Sequence, residues 1–335
     1  MKNEFDVIIP VHNSEKYLED CLQSVEKQSL YPQNLIIIND GSTDNSSKII
    51  KNFKSNSKIK SIKIYENKNS LGVSKARNQG LEMVKSAYVT FVDSDDVLNK
   101  DHFYYLMKNV IDNNFLDLGM TDRIIFQNLE SKNQNVKFLA NKGKKICKNA
   151  ALKQIMGFRK FQGYVTTKIF KMDVIRKNNI HFEEKINICE DLLFCVQFLC
   201  RSSQKYVGIS QYRTYLYRVT NAGLSSNPSN KILLIEKSKN ELEAYSKIKK
   251  ELIKSDTFNS LVDYYDEKYI WVLNNTIYYL CELNLLNTID NKKINFNIIL
   301  SQKCVIIKII FGFFIPLKPK VSFIFRFFKN VLIRR

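Results

Sequence analysis

The sequence predicts an α/β fold in which helices cover both faces of a mostly parallel sheet. Four short, almost wholly apolar runs in the first part of the chain carry this prediction, at residues 5–10, 35–38, 59–65 and 87–92. Segments with apolar residues at helical spacing separate these runs. Strands buried on both faces of a parallel sheet have this composition, because helices cover them above and below.

The helices between these strands are predicted in order. The first covers residues 14–27, a second begins at about Asp44, and a third covers about 73–84. From about 115 to 220 the pattern is mixed α and β, with a helix-like stretch near 191–200. After a Ser, Asn, Gly and Pro-rich loop the chain becomes helical.

Composition narrows the possible classes of protein. The chain has 335 residues, 44% of them hydrophobic, which is ample for a folded core and excludes wholesale disorder. No signal peptide is predicted at the amino terminus. The seven cysteines form no CxxC pair, which indicates free thiols in a reducing cytoplasm rather than disulfides or a zinc site.

Positive charge is concentrated at the end of the chain. The net charge is +19, and residues 291–335 contain ten Lys or Arg and no acid, interleaved with many Phe and Ile. A nucleic-acid-binding tail would carry more Ser, Gly and Asn, so we expect no nucleic-acid partner. No run approaches the length of a spanning helix. The tail is predicted to lie on an anionic membrane surface, the alternative being core helices with snorkelling lysines.

The most informative polar cluster is Asp93-Ser94-Asp95-Asp96, which directly follows the fourth strand. Three acids within four residues repel one another, so they need a cation or hydrogen-bond donors beside them. On extended backbone Asp93 and Asp95 would point the same way. We expect both to bind a hard divalent cation, which takes oxygen ligands and, in the case of Mg²⁺, typically shares them with substrate phosphates. The alternative is that Asp95 or Asp96 caps a helix that begins near Asn99.

Two further clusters follow the second and third strands. Asp40 can accept a hydrogen bond from a base or a ribose hydroxyl, and Gly41 allows a tight turn. Gly72 opens a helix, and Arg77 lies about one turn further on, where a guanidinium can reach a base or pyrophosphate. The alternatives are turn and helix-cap chemistry around Asp40 and an ordinary surface position for Arg77.

Together with residues 10–15, these clusters resemble the inverting family 2 of nucleotide-sugar glycosyltransferases, which implies a GT-A fold with a helical C-terminal extension. The resemblance is strong over about the first 120 residues and looser over 160–200. Asn39 departs from the family pattern, which usually has an acid there, and Thr167 stands where a Trp often precedes the Lys. The matching segments are VIIPVHNSEKYLEDCLQSVEKQS, LIIINDGSTDNS, NSLGVSKARNQGLEMVKSAYVTFVDSDD, GYVTTKIF and ICEDLLF.

The resemblance implies a UDP-sugar site at the ends of the strands. In the family pattern Asp40 reads the base, with Arg77 beside it. Asp93 contacts ribose or the metal shell, and Asp95 binds the Mn²⁺ or Mg²⁺ that bridges the diphosphate. The residues implied to bind the nucleotide-sugar are Pro10, Val11, Asn13, Glu15, Asp40, Asn69, Gly72, Arg77, Asp93 and Ser94.

An inverting transfer also needs a general base for the acceptor hydroxyl. In the resembling family this base is an acid of a Glu-Asp pair at the start of a helix, which corresponds to Glu190 and Asp191. The family pattern favours Asp191. Adjacent carboxylates with an apolar flank should have one pKa raised towards a useful value. The alternative is that Asp191 only caps its helix.

The resemblance also implies a domain organisation. We expect a GT-A domain at residues 1–220, with a nucleotide-binding half (1–120) and an acceptor half (121–220). A helical extension is expected at 221–290 and the basic amphipathic tail at 291–335.

The function expected from these features is metal-dependent hexosyl transfer from a UDP-sugar to an acceptor hydroxyl. With the tail, it suggests a lipid-linked glycan acceptor, bacterial surface polysaccharide synthesis, and a cytoplasmic enzyme on the inner face of the cell membrane. Two alternatives remain. A nucleotidyltransferase would show a Gly-rich loop after the first strand, and residues 10–16 contain no Gly. A non-catalytic, basic membrane-associated module is the other.

Overall fold

The computed structural model describes residues 4–126, 143–157, 162–219 and 231–282. Its strands are β1 (Phe5–Val11), β2 (Asn34–Asp40), β3 (Ile62–Asn67), β4 (Tyr88–Phe91), β5 (Val97–Leu98), β6 (Leu118–Phe126), β7 (Lys144–Cys147), β8 (Lys168–Lys171) and β9 (Tyr206–Arg218). Its helices are α1 (Glu15–Glu26), α2 (Ser46–Asn56), α3 (Val73–Met83), α4 (His102–Ile111), α5 (Lys148–Met156), α6 (Met172–Lys177), α7 (Glu190–Arg201), α8 (Lys231–Lys254) and α9 (Phe258–Glu282).

Within these residues the strands form one sheet in the order β3-β2-β1-β4-β8-β6-β9-β5, with β7 also paired to β9. Strands β3, β2, β1 and β4 are parallel. Strand β8 runs antiparallel to both β4 and β6, so the second half of the sheet is mixed. The predicted α/β class, with a parallel nucleus and helical C-terminal segments, is confirmed.

Residues along β1 and β2 alternate between two apolar cores, one on each face of the sheet. Ile8 and Ile36 belong to the core covered by α3, whereas Val7 and Leu35 belong to the core covered by α1 and α4. All four side chains are fully buried. Burial on both faces explains why these strands are runs of Ile and Val rather than alternating apolar and polar residues.

Asp6 in β1, which the sequence analysis did not single out, joins the parallel strands at the end of the sheet where they begin. Asp6 is fully buried, and its carboxylate accepts hydrogen bonds from both nitrogens of Asn34 at 3.0 and 2.7 Å. It also accepts bonds from the backbone of Lys85 at 2.8 Å and the hydroxyl of Ser86 at 2.6 Å. Asp6 thus joins the starts of β1 and β2 to the loop before β4. These strands diverge into loops at the opposite end.

Helices α8 and α9 pack against each other, α8 also packs on α7, and α9 also contacts α5. A two-point ion pair between Arg201 of α7 and Glu251 of α8, at 3.1 and 2.8 Å, stabilises the contact between α7 and α8. The domain limits at 220 and 290 stay predictions, and the tail at 291–335 lies outside the described residues. No helix in the described part of the chain combines the length and the apolar character that a membrane crossing requires.

Candidate active site

The loops after β1, β2, β3 and β4 meet at one edge of the sheet, as the ends of neighbouring parallel strands must. Asn13 in the first loop accepts a hydrogen bond at Oδ1 from the backbone of Thr43 at 2.8 Å. The hydroxyls of Ser14 and Ser94 lie 2.7 Å apart, which joins the first loop to the fourth. The polar clusters predicted from sequence are therefore brought together.

Asp40 ends β2 and is the centre of the hydrogen bonds that hold the β3–α3 loop. Its carboxylate accepts bonds from the backbone of Leu71 at 2.9 Å and Gly72 at 2.8 Å. It also accepts bonds from Ser70 Oγ at 2.9 Å and Asn67 Nδ2 at 2.8 Å. Burial raises the pKa of Asp40, but these bonds together outweigh it and leave the pKa lowered. Asp40 is therefore an ionised loop anchor, and its reading of a base stays a prediction.

Backbone atoms make the contact between the second and third loops. Gly41 has φ +64°, and a Cβ there would lie 2.5 Å from the backbone nitrogen of Ser70 and closer still to the carbonyl carbon of Asn69. Gly72, the N-cap of α3, has φ +93° but open space where its Cβ would stand. Only Gly41 therefore needs glycine for two reasons, its left-handed backbone and the close approach of another chain segment.

The residues predicted at the end of β1 divide into two groups. Pro10 and Val11 are buried in the strand, beyond Ile8, where the pairing with β4 ends. Glu15 lies at the start of α1, and its carboxylate accepts hydrogen bonds from the backbone and side-chain nitrogens of Asn45 at 2.9 and 2.8 Å. Glu15 thus links the first loop to the start of α2. Nucleotide contacts by these residues stay predictions.

The acidic cluster after β4 forms a turn rather than extended backbone. The backbone N–H of Asp96 donates to the carbonyl oxygen of Asp93 at 3.1 Å, so the argument that Asp93 and Asp95 extend the same way is wrong. The helix-cap alternative is also wrong. Helix α4 begins at His102 with Asp101 as its N-cap, and residues 97–98 form β5 instead.

Asp96 has a structural partner that the sequence analysis missed. Its fully buried carboxylate accepts hydrogen bonds from the Tyr215 hydroxyl and from the backbone N–H of Arg218, each at 2.7 Å. Arg218 Nε in turn donates to the carbonyl oxygen of Asp95 at 2.8 Å. The end of β9 therefore fixes the acidic turn. The sequence separation of more than a hundred residues left no local pattern by which to find it.

The Asp95 carboxylate is the acid of this turn that fits a divalent cation. It is half-buried, and no side chain in the described ranges donates a hydrogen bond to it. Burial first, and then the charge of Asp93, raise the pKa of Asp95 to about 6. A carboxylate in this state gains from a hard cation, which prefers oxygen ligands.

The described part of the chain does not form a full metal site from protein groups alone. Among the residues that the structure describes, no three His, Cys, Asp or Glu side chains converge to hold an ion. An ion bound at Asp95 would take the remaining oxygens from substrate and water, as Mg²⁺ often does. Asp93 has its Oδ1 bonded to Arg77.

Arg77 links the acidic turn to the predicted catalytic pair. Its Nη1 donates to Glu190 Oε1 at 3.0 Å and to Asp191 Oδ1 at 2.7 Å, and its Nη2 donates to Asp93 Oδ1 at 3.0 Å. The guanidinium also lies over the Phe182 ring, with Cζ 5.2 Å from the ring centre. Only 4% of the side chain is exposed, so the alternative of an ordinary surface position is wrong. Contact between Arg77 and a base or diphosphate stays a prediction.

Glu190 and Asp191 begin α7, in the position expected from sequence. Burial first, and then the charge of Asp191, raise the pKa of Glu190 to about 7 against the opposing charge of Arg77. Burial also raises the pKa of Asp191, against the opposing charge of Arg77. Asp191 Oδ2 accepts the backbone N–H of Val165 at 3.2 Å, so both of its oxygens are held. Glu190 can therefore take up a proton near neutral pH.

A buried lysine, which sequence analysis noted only as part of a motif, supports this pair from the acceptor half. Lys168 is fully buried in β8, and its Nζ donates to the carbonyl oxygens of Gln162 and Tyr164, both at 2.6 Å. These bonds shape the loop whose next residue, Val165, holds Asp191. A lysine directly before the apolar pair Ile169-Phe170 is the pattern that could have drawn attention to this role.

The sequence profile described as glycosyl transferase family 2 matches residues 6–180, which is more than half of the chain. The chain belongs to glycosyltransferase family 2. This confirms the resemblance seen in the strand-end motifs. It also rules against a nucleotidyltransferase, since the matched region contains the loops after β1, β2, β3 and β4.

The chain is similar to curated bacterial proteins, several of which are glycosyltransferases. The chain is 35% identical over 227 residues to the poly(ribitol-phosphate) beta-N-acetylglucosaminyltransferase TarP of Staphylococcus aureus, covering 66% of this chain and 64% of TarP. The matched regions span between 15% and 64% of the lengths of four such curated relatives.

Solved structures share the fold. S. aureus TarS in complex with UDP-GlcNAc superposes with a TM-score of 0.62 at 17% identity, covering 98% of this chain and 89% of that one. The mannosyltransferase PcManGT of Pyrobaculum calidifontis, in complex with GDP-Man and Mn²⁺, gives a TM-score of 0.53 at 11% identity, covering 99% and 86%. The predicted GT-A fold is confirmed.

The backbone contact at Gly41 gives a prediction about stability. Gly41→Ala should lower the free energy of unfolding by about 3 kcal/mol or more, because a methyl group meets the backbone of the neighbouring loop and the residue keeps a left-handed conformation. Gly72→Ala is the matched control and should cost only about 1–2 kcal/mol, since it suffers the backbone effect alone. Urea unfolding of both variants measures the difference, and equal losses would contradict the close approach.

Proposed function

We propose that the protein is an inverting glycosyltransferase that moves a hexosyl group from a UDP-sugar to an acceptor hydroxyl. One observation carries the proposal. The guanidinium of Arg77 pairs with Asp93, which follows β4, and also with the acid pair that begins α7. It thereby places the strand-end loops next to that pair. A donor bound at the strand ends would therefore lie beside groups able to remove a proton from an incoming hydroxyl.

The donor side is proposed to take UDP. Asp40 and Gly41 hold two strand-end loops in a fixed relation, and Asp40 would read the base. Pro10, Val11, Asn13, Glu15, Asn69, Gly72 and Ser94 would line the nucleotide. The TarS complexes with UDP and UDP-GlcNAc support this choice, since they share the fold.

The metal, when present, would neutralise the charge of the departing diphosphate. Asp95 would hold Mn²⁺ or Mg²⁺, with Asp93 at the edge of its shell, because the Asp95 carboxylate has a raised pKa and no side-chain donor in the described ranges. The Mn²⁺ in the PcManGT complex supports the choice of ion.

Asp191 is proposed as the general base, with Glu190 beside it. Arg77 and the backbone of Val165 fix both oxygens of Asp191, which orients the carboxylate. The base would take the acceptor proton as the hydroxyl oxygen attacks the anomeric carbon from the face opposite the diphosphate. The bond to the diphosphate breaks as the new glycosidic bond forms, and the anomeric configuration inverts.

The acceptor is proposed to be a saccharide or lipid-linked glycan of a bacterial surface polysaccharide. The names of TarP and TarS, which act on poly(ribitol-phosphate), support an acceptor of this general kind. We further propose that the tail at residues 291–335 holds the enzyme on the inner face of the cell membrane, through its ten basic residues and its apolar side chains.

Two substitutions separate the proposed metal ligand from the proposed base. Asp95→Asn should abolish Mn²⁺-dependent release of UDP from UDP-sugars. Asp191→Asn should keep UDP binding but lower transfer by about 10²–10⁴-fold, because only the proton acceptor is lost. UDP release measures the loss of turnover in both variants. Stabilisation by UDP in thermal unfolding measures whether Asp191→Asn still binds UDP.

Asp112→Asn, at an exposed site on the end of α4, is the control for both variants. The non-catalytic alternative predicts that neither active-site substitution changes any turnover. Full transfer by the Asp191→Asn protein would overturn the assignment of the base.

The acid pair also predicts a pH dependence. A base acts in its deprotonated form, so turnover should rise as pH increases through about 7, the pKa region of Glu190, and then level off. Glu190→Gln removes a like charge beside Asp191, so the rise should move to lower pH. Rate profiles between about pH 5 and 9 test this. An unmoved profile in Glu190→Gln would show that the two acids do not titrate together.

Removal of the tail tests the membrane proposal. Deleting residues 303–335 should shift the protein from the membrane to the soluble fraction after cell lysis, because most of the basic and apolar residues are lost. Replacing only the Lys and Arg of this segment with Gln separates the charge contribution from the apolar one. A truncated protein that stays with the membranes would contradict the proposal.

A further inference from the structure

The catalytic pair is reached through a loop, residues 180–189, that lies between α3 and α8. We call it the lead-in loop. It ends at Cys189, whose φ of +63° places a non-glycine residue in the left-handed region immediately before Glu190. A backbone of this kind persists only when neighbouring contacts hold it. The contacts of the lead-in loop therefore decide how α7 presents its first turn.

One set of these contacts comes from α3, the helix that carries Arg77. Asn78 exchanges two hydrogen bonds with the backbone of Phe182, at 2.8 and 2.9 Å. Ser74 Oγ donates to the carbonyl oxygen of Ile186 at 3.3 Å. The first part of the loop is thus fixed to the donor half of the molecule, independently of α8.

The other set comes from α8, and Asn240 is its centre. Its Oδ1 accepts the backbone N–H of Asn187 at 2.7 Å and that of Ile188 at 3.0 Å, and its Nδ2 donates to the carbonyl oxygen of Lys185 at 2.9 Å. One amide side chain thereby satisfies three backbone groups. The two accepted bonds lie directly before Cys189 and the catalytic pair.

Two other contacts from α8 reach side chains of the loop rather than its backbone. Lys247 pairs with the Glu183 carboxylate at 2.6 Å. The Cys189 thiol donates to Glu241 at 3.7 Å, a long sulfur contact. Asn240 is the α8 residue whose geometry specifies the backbone path into α7.

We propose that Asn240 is a positioning residue for the reaction, through which α8 sets the orientation of Glu190 and Asp191 towards Arg77. This rests on the proposed function, in which that pair supplies the base. It makes the C-terminal helical segment part of the catalytic unit. The bonds from α3 remain when Asn240 is replaced, so the fold and the donor loops should survive.

The test compares wild type with Asn240→Ala and Asn240→Asp, using UDP-N-acetylglucosamine as donor and water as the nucleophile. Asn240→Ala should lower kcat about 10- to 100-fold and leave the donor KM within about twofold, since misplacing a catalytic group mainly slows the chemical step. Asn240→Asp can still accept hydrogen bonds from both backbone N–H groups but cannot donate one to Lys185. Its kcat should therefore lie between those of wild type and Asn240→Ala.

Asn259→Ala, an exposed asparagine on α9, is the matched control and should keep the wild-type kcat. If Asn240→Ala does not fold, Asn240→Asp carries the same comparison. A kcat within about twofold of wild type in both Asn240 variants, or a donor KM that rises in step with the fall in kcat, would overturn the positioning role. Absence of UDP release by wild type with every UDP-sugar would instead be the failure of the proposed function.

Discussion

The guanidinium of Arg77 forms ion pairs with three carboxylates that come from two distant parts of the chain. Asp93 lies 16 residues away, whereas Glu190 and Asp191 are more than a hundred residues away. Three ionised acids in this space would repel one another strongly, and burial would add to the cost. With Arg77 between them, the donor half and α7 attract each other. The relation between the two halves of the candidate site therefore depends on this buried cation.

The two sides of the site are prepared to different degrees. Around Asp40 the protein already supplies hydrogen-bond donors to both carboxylate oxygens, and the adjoining loops touch through backbone. Around Asp95 one carboxylate remains without a side-chain donor in the described part of the chain, and its pKa is raised. The first arrangement gives a rigid cradle at no further ordering cost. The second leaves a group whose charge becomes favourable only with a cation beside it.

Much of this could be predicted from local sequence. The apolar runs located β1, β2 and β4 to within a residue or two, and the acid pair was placed correctly at the start of α7. What could not be predicted depends on contacts between distant segments. The turn at Asp93–Asp96 is held by β9, so the expected extended geometry failed. The bonds of Asp6 and Asn240 reach backbone groups that no periodic pattern marks. The ion pairs of Arg77 could not be predicted without knowing where α7 packs.

The contact at Gly41 has a consequence for how enzymes of this architecture diversify. At Gly41 itself the two loops meet through main-chain atoms, so a substitution there can only add bulk to the contact. Changes in loop length on either side would pull the joint apart. Evolution of a new donor preference is therefore left to the solvent-facing rim, where the Leu71 side chain is more than half exposed although its backbone N–H is held by Asp40.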